Sequence, residues 1–223
     1  MITVDEAITG RRSTRAYLNK PVPRALLERI LKTAARAPSG SNIQPWKVWV
    51  LEGAAKDRLA AAIMRRIEVG DAGKWDYKYY PETWREPYLA RRRACGFGLY
   101  ATLGIGRGDA LAMRAQLAKN FDFFGAPVGL MFTIDRDMEL GSWLDYGMFI
   151  QSIMIAARAE GLETCPQAAF AAYWDTVKTV LNIPSDQSVV CGMALGFADP
   201  SAIVNTFVTE RMALTDFVTW QSE

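Results

Sequence analysis

Apolar residues return at helical spacing through Leu27, Ile30, Leu31, Ala34 and Ala35. This predicts a helix opened by Pro23 and finished before Pro38, which biases Ala37 away from helical backbone. Elsewhere the period changes. Short runs of β-branched and aromatic side chains predict strands at Lys47 to Leu51, Val128 to Ile134 and Val189 to Phe197, the last two buried, and Val204 to Thr209 reads as one more. A helix is expected over Thr3 to Thr9, where Thr3 and Glu6 have capping-box spacing and Gly10 supplies the stop. Further helices are expected over Ala54 to Ile67, over Cys95 to Ile105, from a cap at Asp109 to Lys119, and over Phe170 to Leu181. Ser142, with Asp145 three residues later, predicts the cap of a helix running to Glu160 before Gly161. From Met148 onward that helix is apolar nearly all round, as expected of one buried on every side at the centre of the fold or of a dimer interface.

Between Gly70 and Arg93 neither period holds. Trp75, Tyr77, Tyr79, Tyr80, Trp84 and Tyr88 are interleaved with Lys74, Lys78, Arg85 and Arg91 to Arg93, and Pro81 and Pro87 interrupt the run. A long loop is expected there, and long loops in compact domains usually serve a function or are disordered. Helices flanking a few non-repeating strands indicate an α+β fold, a sheet sandwiched by helices, in a single domain over residues 1–223.

Composition then removes function classes. Lys and Arg exceed Asp and Glu by only two, so no global field directs the chain to nucleic acid or to an acidic membrane. The acidic N-terminus does not read as a signal peptide, and no stretch reaches membrane-spanning length without charge. Cys95, Cys165 and Cys191 are odd in number and widely spaced, which disfavours a disulfide framework and a zinc site and fits a reducing cytoplasm. The chain has no histidine. Serine-histidine and cysteine-histidine hydrolysis are therefore excluded, and any chemistry must come from a cofactor or from carboxylates, Lys, Tyr or Arg.

Two polar clusters carry the candidate chemistry. Arg11-Arg12-Ser13-Thr14-Arg15 packs three guanidiniums and two hydroxyls into five residues, a donor array suited to phosphate. Pro38-Ser39-Gly40-Ser41-Asn42, followed by Gln44-Pro45-Trp46, is a run of small polar residues whose backbone can approach a ligand closely. Together with Ala16-Tyr17 and the helix that leads into Ala37, these clusters resemble the flavin-dependent nitroreductase family, and the order of later elements matches over nearly the whole chain.

The resemblance implies an FMN-binding, nitroreductase-like α+β protein with a central mixed sheet flanked by helices. It also implies an intertwined homodimer with two active sites at the subunit interface. Arg11, Arg12, Ser13 and Arg15 then contact the FMN phosphate and ring edge, with Arg15 near the N1/O2 edge, where a cation favours negative charge on the ring. Pro38, Ser39, Ser41, Asn42 and Gln44 resemble contacts delivered from the partner subunit. Pro166, Gln167 and Ala168 lie against the ring, one of the last two donating an amide to N5, and Arg211 is a further phosphate contact. The loop at about 70–93 is expected to cover the substrate, with Trp75, Tyr80, Trp84 and Tyr88 as its aromatic contacts. The implied activity is ping-pong reduction of a nitroaromatic or quinone by NADPH or NADH, with no protein residue as catalyst and no metal. Cys165 reads as a buried, inert thiol. Two other readings stand beside this one. Reductive dehalogenation would draw on Lys78, Glu82, Glu86 and Tyr88, and a flavin- or nucleic-acid-binding module would have no turnover.

Overall fold

The computed structural model describes residues 2–222. Its sheet has the order β1 (Lys47–Glu52), β2 (Val128–Asp135), β4 (Gln187–Gly196), β3 (Glu163–Gln167), and every neighbouring pair is antiparallel. The mixed character implied by the resemblance reduces to one parallel bridge, Ser13 to Thr164, on the outer edge of β3. A register shift at Phe132/Thr133 interrupts the β2–β4 ladder.

Alternation along β2 assigns the two layers. Val128, Leu130, Phe132 and Ile134 face α2 (Arg24–Ala34) and α6 (Leu140–Ala159), meeting Leu27, Ile30, Phe149 and Ile153. On the opposite face Met131 and Ala194 meet α3 (Gly53–Glu68), α7 (Trp174–Leu181) and two 3-10 turns, Lys119–Gly125 and Ala168–Tyr173. These turns drop aromatic rings onto bare backbone. A Cβ on Gly129 would lie 2.7 Å from the Phe123 ring, and one on Gly192 would lie 2.4 Å from Phe170. Each side chain fully buried in this way contributes about 1.5–3 kcal/mol of transfer free energy.

Local chemistry explains most element boundaries. α1 (Val4–Thr9) has the full capping box: Thr3 N donates to Glu6 Oε2 at 2.7 Å, and Glu6 N donates to Thr3 Oγ1 at 3.1 Å. Asp109 caps α5 (Ala110–Ala118) by accepting from Ala112 N at 3.0 Å.

Several expectations are corrected. α4 (Tyr88–Thr102) starts seven residues earlier than the helix expected from Cys95, so Tyr88 and Arg91 to Arg93 are helical and not part of a loop. Its apolar stripe is too weak to show in the sequence, because no residue of α4 is buried in the single chain. α6 begins at Leu140 behind Glu139, and neither Ser142 nor Asp145 belongs to its cap. In the single chain its outer face is open, with Leu144 71% exposed and Met148 36%. Phe170 to Leu181 is a 3-10 turn followed by α7, because Phe170 has to dive beneath the sheet. Val204 to Thr209 forms no strand; a 3-10 turn, Ile203–Thr206, occupies its start. The missed strand is β3, where Pro166 argues against pairing but is tolerated because β3 lies at the edge of the sheet.

Candidate functional site

After α1 the chain turns along the outer edge of β3. Thr14 N donates to Thr164 O at 3.1 Å, and the Thr14 side chain is buried. Asn205 fixes the far end of this loop. Its Oδ1 accepts from Arg15 N at 2.8 Å, its Nδ2 donates to Ala16 O at 2.9 Å, and its own carbonyl accepts from the Arg12 guanidinium at 3.0 Å. Arg11, Arg12, Ser13 and Arg15 thereby line one side of a cleft of about 520 Å³, with Cys95, Phe207, Thr209 and Arg211 opposite. That volume lies within the range of small-molecule sites.

The charge in this cleft is unbalanced. Among the described residues, no carboxylate forms an ion pair with Arg11, Arg12, Arg15 or Arg211. Burial, and then the neighbouring charge of Arg211, push the Arg11 pKa down from its ordinary value. Glu163, an acid close enough to act on Arg11, is held by Arg158, and burial outweighs the surrounding arginines to raise its carboxyl. Along β3 and at neighbouring Arg158, four buried polar atoms have no protein partner among the described residues: Arg158 Nε, Glu163 Oε2, Thr164 Oγ1 and Gln167 Oε1. The unpaired cations lining the cleft form a donor surface that fits an anion with many acceptors.

The turn holding Pro38, Ser39, Ser41 and Asn42 lies elsewhere. Asp145, buried on α6, accepts from Gly40 N at 3.0 Å, and Ser39 Oγ accepts from Gln44 N at 3.0 Å. Ser41, Asn42 and Gln44 all have positive φ, at 48°, 58° and 48°. Three non-glycine residues in this conformation give the turn a fixed, strained shape. Its polar face is exposed, and none of these residues lines the arginine cleft. The structure does not bring the two clusters together within one chain.

At the other end of β3, Gln167 is 2% exposed, and its Nε2 donates to Asn120 O at 2.5 Å. Ala168 is the first residue beyond the β3–β4 ladder. Pro166 is half-buried in the strand. Cys165 is buried, and burial pushes its thiol up to about 11, against the opposing charges of Arg15 and Arg11; burial alone takes Cys191 to about 12. Cys95 is exposed and lines the cleft. A thiol-reactive dye at neutral pH should therefore titrate about one cysteine in the native chain and all three after denaturation. Rapid labelling of more than one native thiol would contradict this burial.

The aromatic loop is pinned at its root. Lys74 N donates to Ala172 O at 2.7 Å, Tyr77 Oη donates to Val190 O at 2.6 Å, and Asp76 receives Arg136 Nη2 at 2.9 Å. Three of the expected substrate aromatics form one chain of rings, Trp75 edge-on to Tyr80 at 6.2 Å and Tyr80 tilted on Trp84 at 5.3 Å. Trp75 covers a pocket of about 330 Å³ beside Tyr173, while Tyr80 lies against Trp84 under Arg92. Tyr88 sits between Arg85 and Arg91. Within one chain none of them lines the arginine cleft. Lys78 and Glu82 pair with each other at 2.6 Å, fully in solvent.

Residues 8–197 match the family described as the nitroreductase family. The chain belongs to the nitroreductase family. It is 41% identical over 221 residues to the chloronitrobenzene nitroreductase of Comamonas testosteroni, covering 99% of this chain and 97% of that protein. The crystal structure of the FMN and NADPH-dependent nitroreductase NfnB from sphigopyxis sp. strain HMH superposes with a TM-score of 0.97 at 39% identity, over the whole of both chains. The FMN-dependent nitroreductase NfnB from Mycobacterium smegmatis, in complex with NADPH, gives 0.93 at 32% identity, covering 98% of this chain and 97% of that one. In this nitroreductase two positioning residues escape sequence reasoning. Asn205 is visible only as the start of a returning segment, and Asp145 reads as part of a helix cap. Each acts through a long-range contact that no local spacing encodes.

Proposed function

We propose that this chain is an FMN-dependent oxidoreductase that takes reducing equivalents from NADPH or NADH and reduces nitroaromatics or quinones. The observation that carries this reading is the cleft of four arginines without carboxylate partners beside the outer edge of β3. Arg11, Arg12, Ser13 and Arg211 hold the phosphate by charge-assisted hydrogen bonds. Arg15, with its backbone fixed by Asn205, presents its cation to the N1/O2 edge of the ring. Ala168, the first residue free of the ladder, offers its amide toward N5 with Pro166 and Gln167 behind it. When bound, FMN supplies hydride transfer between nicotinamide and oxidant. The protein's task is then to bind, orient and exclude, which a chain without histidine can perform.

The second half of the site comes from a second copy of the chain. The exposed polar face of the Pro38 to Gln44 turn, the apolar outer face of α6 at Leu144 and Met148, and the exposed Phe217 and Trp220 near the C-terminus support a homodimer that buries them. Each 1–223 chain is one FMN-binding domain whose 70–87 loop covers the substrate. Its unpaired cysteines suit the reducing cytoplasm.

A visible spectrum is the test. The purified protein, loaded with FMN, should be yellow, bleach anaerobically with NADPH, and regain colour on addition of a nitroaromatic. A protein that fails to retain added FMN overturns the reading. Dilution below the dimer dissociation constant should release the flavin; a monomer that holds FMN tightly overturns the shared site.

A further inference from the structure

One largely buried acid next to the arginine cleft has no task in holding the cofactor or in hydride transfer. Glu163 opens β3, and its charge acts on Arg11, while Arg11 and Arg12 act on it in return. A carboxylate in that place is a rival to phosphate. It offers a guanidinium the same pair of anionic oxygens, and it is fixed beside the site whatever the ligand concentration. Yet among the described residues neither Arg11 nor Arg12 forms an ion pair with it.

Arg158 is the reason. It stands in the last turn of α6, Gly161 turns the chain at a φ of 74°, and β3 begins two residues later, so helix end and strand start meet across a short connection. There Arg158 Nη1 donates to Glu163 Oε1, with the two side chains 19% and 18% exposed. The guanidinium also lies against the residue that precedes the arginine loop. A Cβ on Gly10 would come within 2.6 Å of Arg158 Nη2, so the absence of a side chain there leaves Arg158 its place beside Glu163. The other carboxylate oxygen, Glu163 Oε2, has no protein partner among the described residues. Glu163 is therefore held by one oxygen, with the other still able to accept. The charged and titratable groups acting around it are Arg158 from α6, Arg11 and Arg12 from the loop after α1, and Tyr17 further along that loop. β4 sets only Gly196 opposite it.

We infer that Arg158 is a positioning residue of the phosphate site: by holding Glu163 it keeps the guanidiniums of Arg11 and Arg12 available to the anionic end of the cofactor. This assignment rests on the FMN reading above and adds to it the residue that withholds a built-in competitor. A buried ion pair is weak evidence for stability, since apolar side chains of similar volume often serve as well. Removing one partner is different, because it leaves the other charge to find a new one. For Glu163 the candidates are the phosphate arginines.

The experiment titrates FMN into parent, Arg158→Met, Glu163→Gln and the double variant at about pH 6 and about pH 9, each Kd taken relative to the parent at the same pH so that ionisation of the phosphate cancels. Burial already raises the Glu163 carboxyl, and loss of Arg158 raises it further, so in Arg158→Met the acid is protonated at the lower pH and competes only at the higher. Arg158→Met should thus weaken FMN binding by about tenfold at the alkaline end and by less than about threefold at the acid end. Adding Glu163→Gln should bring affinity back to within about threefold of the parent at both. Glu163→Gln alone should bind FMN as tightly as the parent or more tightly. That single variant decides the matter if Arg158→Met does not fold: a loss beyond about threefold would make Glu163 a support of the phosphate site and overturn the assignment. A loss in Arg158→Met that is equal at both pH values and unrelieved by Glu163→Gln is the mark of a merely structural role and overturns it too. Parent-like affinity of Arg158→Met at the alkaline end does the same while leaving the FMN reading intact, whereas a parent that retains no FMN removes that reading and this assignment with it.

Discussion

Exchanging Arg11 and Arg211 together for glutamine is expected to weaken FMN binding by roughly two to four orders of magnitude, since each charge-assisted hydrogen bond is worth about 1.5–3 kcal/mol. The same exchange should leave the unliganded fold intact or slightly stabilised. Neither guanidinium has an ion-pair partner to lose, and Arg11 is already pushed down by burial and by the charge of Arg211. Removing both relieves repulsion in the empty cleft and removes attraction in the filled one. Titrating FMN fluorescence against parent and variant measures the first effect, and thermal melting without flavin measures the second. A variant whose FMN affinity stays within about threefold of the parent would place the phosphate outside this cleft.

Phe170→Ala should be the most damaging single change to the fold. The ring is completely buried, stacked on Phe123 at 4.6 Å and edge-on to Phe121 at 5.5 Å, and it lies directly over Gly192 in the central strand β4. Glycine offers no side chain to collapse into the space, so the cavity term is retained in full. A loss of about 3–5 kcal/mol is expected, which for a chain of this length lowers the melting temperature by roughly 6–20 °C. Flavin affinity should fall too, because Phe170 lies two residues past Ala168. A melting shift below about 2 °C would mean that this face of the sheet is not the packed layer described.

Most of this architecture was legible before any coordinates. The strands at 47–51, 128–134 and 189–197 announce themselves because burial on the sheet selects branched and aromatic residues in unbroken runs. The helix from Pro23 and the capping box at Thr3 are local signals with local causes. What stayed hidden depends on distant partners. β3 contains a proline and too few residues to show a period, and it is a strand because β4 pairs with it and the Ser13 loop lies along its edge. The family motif brought Arg11 to Arg15 and Arg211 to one cleft correctly in kind. It did not reveal that Asn205 binds the two segments, or that Asp145 holds the Pro38 turn, since a hydrogen bond across 190 or 105 residues leaves no trace in spacing. Composition reports that the loop's rings cluster, and the structure shows that cluster running from Trp75 through Tyr79 and Tyr80 to Trp84, a packing no sequence spacing encodes.

The anchoring of Lys74, Asp76 and Tyr77 has a consequence for how such a chain changes over generations. Those three contacts end the loop's obligations to the sheet, and the next regular element begins at Tyr88. The ten residues from Lys78 to Pro87 form a surface segment between two fixed seams, pairing among themselves, as Lys78 with Glu82 and Tyr80 with Trp84, and with their borders, as Tyr79 and Tyr80 with Trp75 and as Tyr80 and Trp84 with Arg92. Lengthening, shortening or recoding it leaves the core ledger untouched. That surface segment can therefore be rewritten without touching the sheet or the residues that line the arginine cleft.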